Sequence, residues 1–104
     1  MHDRVSMLSE FLKQSPKDSF ARYGLAMEYS KLGDTENALK EFSILLQNDP
    51  DYSAGFFMAA QMLSRVGRAD EARKYLENGI AAAARTGNAH AKGEMENMLA
   101  ELGG

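Results

Sequence analysis

Residues 19–52, SFARYGLAMEYSKLGDTENALKEFSILLQNDPDY, and residues 53–86, SAGFFMAAQMLSRVGRADEARKYLENGIAAAART, are two copies of one 34-residue pattern. Ser19 returns as Ser53, Ala26 as Ala60, Ser30 as Ser64, Gly33 as Gly67, Ala38 as Ala72 and Lys40 as Lys74. Chemical equivalents fill the gaps: Tyr23 pairs with Phe57, Lys31 with Arg65, Leu32 with Val66, Glu36 with Asp70 and Phe42 with Leu76. A fixed period of this length marks a repeat architecture, in which each unit buries its apolar face only by stacking on a neighbour.

Within each copy the apolar residues recur at three- and four-residue steps, the spacing of one helical face. The first copy reads as a helix from Asp18 or Ser19 to about Leu32, with Leu25, Ala26, Tyr29 and Leu32 inward, and a second over 35–47 with Ala38, Leu39, Phe42, Leu45 and Leu46 inward. Gly33 sits between them, free to take the left-handed conformation that ends a helix. The second copy predicts helices over 52–65, through Phe56, Ala59, Ala60 and Leu63, and over 69–85, through Ala72, Leu76, Ile80 and Ala83. Recurring alanines let two antiparallel helices approach closely. Gly79 weakens its helix by about 0.5–1 kcal/mol relative to Ala, so a neighbouring helix is expected to press against it.

The period also extends outward. Pro16 lies 34 residues before Pro50, and Leu8 and Phe11 precede Phe42 and Leu45 by the same step. The helix expected over 2–13, with Val5, Leu8, Phe11 and Leu12 on one face, is therefore the second half of an incomplete repeat. At the other end Gly87 stops the fifth helix, Asn88 caps a sixth with Ala91, Met95, Met98 and Leu102 as its apolar stripe, and Gly103 and Gly104 are expected to fray. The fold class is all-α: an αα-superhelix, or solenoid, of antiparallel pairs with about six helices in one domain over 1–104. Its parts are a half repeat at 2–16, repeats at 19–52 and 53–86, and a terminal capping helix at 88–102.

These residues resemble the tetratricopeptide repeat family. Leu25, Ala26, Tyr29, Gly33, Ala38, Phe42, Leu45 and Pro50 match its motif in the first copy, and Phe56, Ala59, Ala60, Leu63, Gly67, Ala72 and Leu76 in the second. Arg22 stands where an early aromatic is expected, and Gly79 and Ala84 replace a small-or-apolar residue and the proline. Without that proline the fifth helix can run on. The resemblance implies a scaffold or adaptor that binds a protein or peptide in a concave groove lined by the first helix of each repeat. Carried over, the groove comprises Phe20, Tyr23, Met27, Ser30 and Lys31, then Ala54, Phe57, Gln61, Ser64 and Arg65, with Asn88, Ala91, Lys92 and Met95 added by the sixth helix. Tyr23, Met27 and Phe57 offer adaptable apolar contact, and Lys31 and Arg65 suit acidic groups. The competing reading is that these aromatics pack between repeats. The family's carboxylate clamp is not expected: Tyr23 and Met27 occupy its first pair of positions and Gln61 replaces an Asn, leaving Lys92 as the single match. A short helix or an extended apolar segment suits the lining better.

A second reading is self-association. A short stack exposes apolar ends, and Val5, Leu8 and Phe11, or Met95, Met98 and Leu102, could pair with a second copy to give a homodimer. The polar side of the sixth helix, with Lys92, Glu94, Glu96, Asn97 and Glu101, suits a solvent-facing cap, whereas the start has no such cap.

Other classes find little support. The chain has 104 residues, 44% hydrophobic and 26% charged, with a net charge of -3, and its twelve Lys and Arg are scattered among fifteen acids, so no basic track for nucleic acid exists. There is no Cys, hence no thiolate nucleophile or thiolate metal site, which suits a reducing compartment. Asp3, Arg4 and Glu10 interrupt the N-terminal stretch, so it reads as neither a signal core nor a span, and it lacks the basic excess of a membrane-surface helix. A cytoplasmic address follows as the default. His2 and His90 are isolated, Ser30 and Ser64 lack a paired base, and Gly33 and Gly67 are single turn glycines, so no enzyme chemistry, metal or cofactor is expected.

Overall fold

The computed structural model describes residues 3–103. They form six helices: α1 (Arg4–Gln14), α2 (Ser19–Lys31), α3 (Thr35–Asn48), α4 (Ser53–Arg65), α5 (Ala69–Thr86) and α6 (Ala89–Glu101). The architecture is all-α, with antiparallel helix pairs repeated as a tetratricopeptide-type solenoid requires. The helices fall into two compact units, one ending at Asp49 and the other beginning at Pro50.

Local signals set the ends of the helices. Asp3, Asp18, Asp34 and Asn88 each accept an amide hydrogen from the first turn of α1, α2, α3 and α6, satisfying donors that the helix itself leaves unpaired. Asp18, rather than Ser19, is thus the cap of α2. Gly33 and Gly67 close α2 and α4 at φ of 79° and 81°, where a side chain would clash with the following carbonyl. The start of α1 and the placement of Leu32 differ from the sequence reading. Asp3 caps α1, so that helix starts at Arg4, and His2 lies outside the described residues, as does Gly104. Leu32, expected inside, is the C-cap of α2 and is 67% exposed.

In the first unit α2 packs against both α1 and α3. Leu12, Ala21 and Leu25 form a buried cluster, with Val5, Leu8 and Tyr29 packed around it. Toward α3, Ala26, Ala38 and Phe42 are fully buried and Leu45 nearly so. Where the family places an aromatic, Arg22 reaches Glu41 on α3: its Nη1 donates to Glu41 Oε1 at 2.8 Å and its Nη2 to the Pro16 carbonyl at 2.8 Å. Both side chains are largely buried, and the Arg22 Nε finds no acceptor among the described residues.

In the second unit α5 packs against α4 and α6. Phe56, Ala59, Ala60 and Leu63 of α4 and Ala72, Leu76, Ala82 and Ala83 of α5 supply the core. Lacking the proline, α5 runs to Thr86, and Gly87 in the left-handed region ends it. Gly79 has the tight neighbours the sequence suggested. A Cβ built there would stand 2.5 Å from the Met95 sulfur and 2.7 Å from the Phe56 Cβ.

Candidate protein-interaction surface

On α2 the residues Phe20, Tyr23, Gly24, Met27 and Lys31 fall on one face, and on α1 so do Arg4, Leu8 and Phe11, each following helical spacing. Packing of α1 on α2 brings these faces together as the walls of a groove of about 540 Å³ within the first unit. Gly24 faces Leu8 across the groove: a Cβ there would lie 3.6 Å from Leu8 Cδ1, an ordinary contact distance. The aromatic end is open, with Phe20 79% and Phe11 48% exposed. Large apolar side chains left this open are a marker of an interaction surface.

The other end of the groove is charged. Glu28 is mostly buried, and its Oε1 receives Arg4 Nε at 3.2 Å and Lys31 Nζ at 3.3 Å. Two exposed cations therefore bracket one shielded carboxylate. Asp18, the cap of α2, lies at the aromatic end. Burial raises the Tyr23 phenol above its usual pKa.

Thus Phe20, Tyr23, Met27 and Lys31, the first-copy groove residues, share one surface with Leu8 and Phe11, assigned from sequence to self-association. Val5 is not on that wall; it packs beside the Leu12 cluster. The second-copy residues belong to α4, where Phe57 and Gln61 are half-buried and Arg65 is exposed. Lys92, on α6, pairs with Glu96 at 2.9 Å. Met95 requires correction. It is fully buried against Gly79, a core side chain with no surface to offer to a ligand or a second copy. Met98 and Leu102 are half-buried on the same helix.

Arg4, Gly24 and Glu28 complete the groove and were not singled out from sequence. A smaller groove of about 230 Å³, on another face of α1, is lined by residues including Lys13, Arg22 and Glu41. Among the described residues no group of three or more His, Asp or Glu is placed to hold a metal ion, and no helix is long and apolar enough to cross a membrane. His90 is 86% exposed and lies 3.5 Å from Glu94, one turn along its own helix.

No family profile matches the chain. A TPR repeat-containing protein of Pseudomonas aeruginosa is 32% identical over 98 residues, 94% of this chain and 93% of that one. A tetratricopeptide repeat domain protein from Salinibacter ruber superposes with a TM-score of 0.76 at 30% identity, over 84% of this chain and 88% of that one. PcrH, solved in complex with the chaperone-binding region of PopD, matches in fold with a TM-score of 0.83 at 21% identity, over 94% of this chain and 74% of that one. A relative that similar over nearly the full length of both chains, joined to the 34-residue hairpin pattern, places this chain in the tetratricopeptide repeat-containing family.

Proposed function

We propose that the protein is a non-catalytic adaptor that holds an apolar segment of another protein in the groove between α1 and α2, and that it acts in the cytoplasm without engaging nucleic acid or membrane. The observation that carries this reading is the groove itself: Phe20 and Phe11 open to solvent beside Tyr23 and Met27, in a family whose repeats serve as interaction scaffolds. Tyr23 and Phe20 supply large contact area at low side-chain entropy, and Met27 adapts to an irregular partner. The occurrence of PcrH with a bound region of PopD supports the idea that a helical protein of this fold can hold a protein segment. In the second unit Phe57, Gln61 and Arg65 present similar chemistry on α4.

The test is a photo-crosslinking amino acid at position 20, with position 74 on the exposed side of α5 as control, used in the source cell. Adducts at 20 that disappear with Tyr23→Ser and Met27→Ser are the expected result. Equal adducts at both positions would move the binding surface elsewhere.

Self-association is the second reading, and it has a specific motive: Leu8 and Phe11 line this same groove. A dimer through it and a bound partner would then exclude each other. Light scattering over a dilution series separates them, since a monomer at every concentration removes the dimer.

A further inference from the structure

The 34-residue period indicates what would fit the groove. Leu8 and Phe11 of α1 are the counterparts of Phe42 and Leu45 of α3. On α3 those side chains are 0% and 1% exposed, on a helix paired with the preceding α2. On α1 the same positions are half-buried and 48% exposed, and no described helix stands before α1 to cover them. The open apolar wall is therefore a repeat interface that no described helix covers.

We propose that the groove takes an amphipathic α-helix of a partner protein, about three turns long, which lies along α1 as α2 lies along α3 and so runs parallel to α2. This rests on the groove being the protein-binding surface and specifies its occupant. The length follows from the walls, α1 and α2 having 11 and 13 residues. The stripe on the partner follows from the helices that fill the equivalent place: Leu25, Ala26 and Tyr29 on α2, and Phe56, Ala59, Ala60 and Leu63 on α4. Large side chains flank a small one at the crossing point, with i, i+3, i+4 and i+7 spacing.

Charge complementarity supports the direction. A helix parallel to α2 brings its amino end, which carries partial positive charge, toward Asp18, and its carboxyl end, with partial negative charge, toward Arg4 and Lys31. The reverse orientation would oppose like charges at both ends. An acidic side chain in the occupant's last turn would further suit the two cations, which share the single Glu28 carboxylate. A second copy joined end to end does not supply such a helix. Two periods after Leu25, Ala26 and Tyr29, α6 carries Gly93, Glu94 and Asn97, so the stripe is gone.

The probe is a labelled peptide with the sequence of α4, residues 53–65, locked as a helix by a lactam bridge between two outward positions, and titrated with the full chain. Its control is the unlocked peptide with proline in place of the central alanine. The expected result is saturable binding at least tenfold tighter for the locked form, weakened at least tenfold by Phe20→Ser at unchanged melting temperature. A spin label on the peptide's carboxyl end should broaden the amide signals of Arg4 and Lys31. If both peptides bind equally and Phe20→Ser still weakens them, the groove holds an extended segment: the inference fails while the adaptor reading stands. If the locked peptide does not bind, or the label broadens Asp18 and Phe20 instead, the proposed occupant or its direction is overturned. A chain that is dimeric by light scattering and not dissociated by the peptide makes a second copy the occupant. Loss of the crosslinks at position 20 as well would remove the adaptor reading itself.

Discussion

Replacing Gly79 with alanine should destabilise the protein although it improves the local helix. The local gain is about 0.5–1 kcal/mol, the usual difference between Gly and Ala inside a helix. The opposing cost comes from the two neighbours: the new methyl would stand 2.5 Å from the Met95 sulfur and 2.7 Å from the Phe56 Cβ, against a comfortable carbon separation of about 3.5–4.0 Å. Met95 can swing its sulfur away at modest cost. The Phe56 Cβ is fixed to the α4 backbone, so α4 and α5 must separate by several tenths of an ångström, and overpacking of this kind costs about 1–3 kcal/mol. The net is a loss of up to about 2.5 kcal/mol, with a melting temperature lower by about 4–8 °C for each kcal/mol. Gly93→Ala is the internal control, because a Cβ there meets nothing within 4 Å, and it should stabilise by about 0.5–1 kcal/mol. Urea unfolding of the parent and both variants reads the difference. Opposite signs are expected, and a Gly79→Ala protein as stable as Gly93→Ala would refute the close crossing of α4, α5 and α6.

Glu41→Ala strands the Arg22 guanidinium, largely buried against α3, and should cost about 3–5 kcal/mol; Arg22→Leu combined with Glu41→Leu should recover most of it in the same unfolding assay. Gly33→Ala places a side chain at φ of 79° in open space, so its loss of about 1–2 kcal/mol is backbone strain alone, measurable as a lower midpoint at unchanged m-value. Arg68 donates to Glu71 at 2.8 Å and lowers the Glu71 pKa from the ordinary 4.5. The folded value lies below the unfolded one, so this contribution is fully present above about pH 4.5 and fades as pH falls through the lower folded value. Arg68→Ala should return the carbon-13 titration midpoint of Glu71 upward toward 4.5.

The hairpins were legible because the 34-residue period, the two turn glycines and the alternation of small and large apolar residues all point to one architecture. Gly79 announced its neighbours for the same reason. Met95 was misread because a stripe of Met95, Met98 and Leu102 shows only that one side of α6 is apolar. Which of the three is driven into the core depends on where α5 provides a gap, and that gap is Gly79. Arg22 stood out as a departure from the family pattern, yet its partner Glu41 is on another helix, 19 residues away, and nothing in the local spacing joins them. The groove was divided in the sequence reading between a ligand face on α2 and a dimer face on α1. That division dissolves once Leu8 settles against α2, a tertiary fact that neither helix encodes alone.

An apolar position is sealed in one copy of the repeat and open in the other, at Leu45 and Phe11. The chain has no cysteine, so single variants Phe11→Cys and Leu45→Cys, 34 residues apart, can report it through thiol labelling under native conditions. The position of Phe11 should react within about tenfold of the unfolded chain, and that of Leu45 at least about 100-fold more slowly, since labelling there must await opening of the core. Equal rates at the two positions would contradict the account.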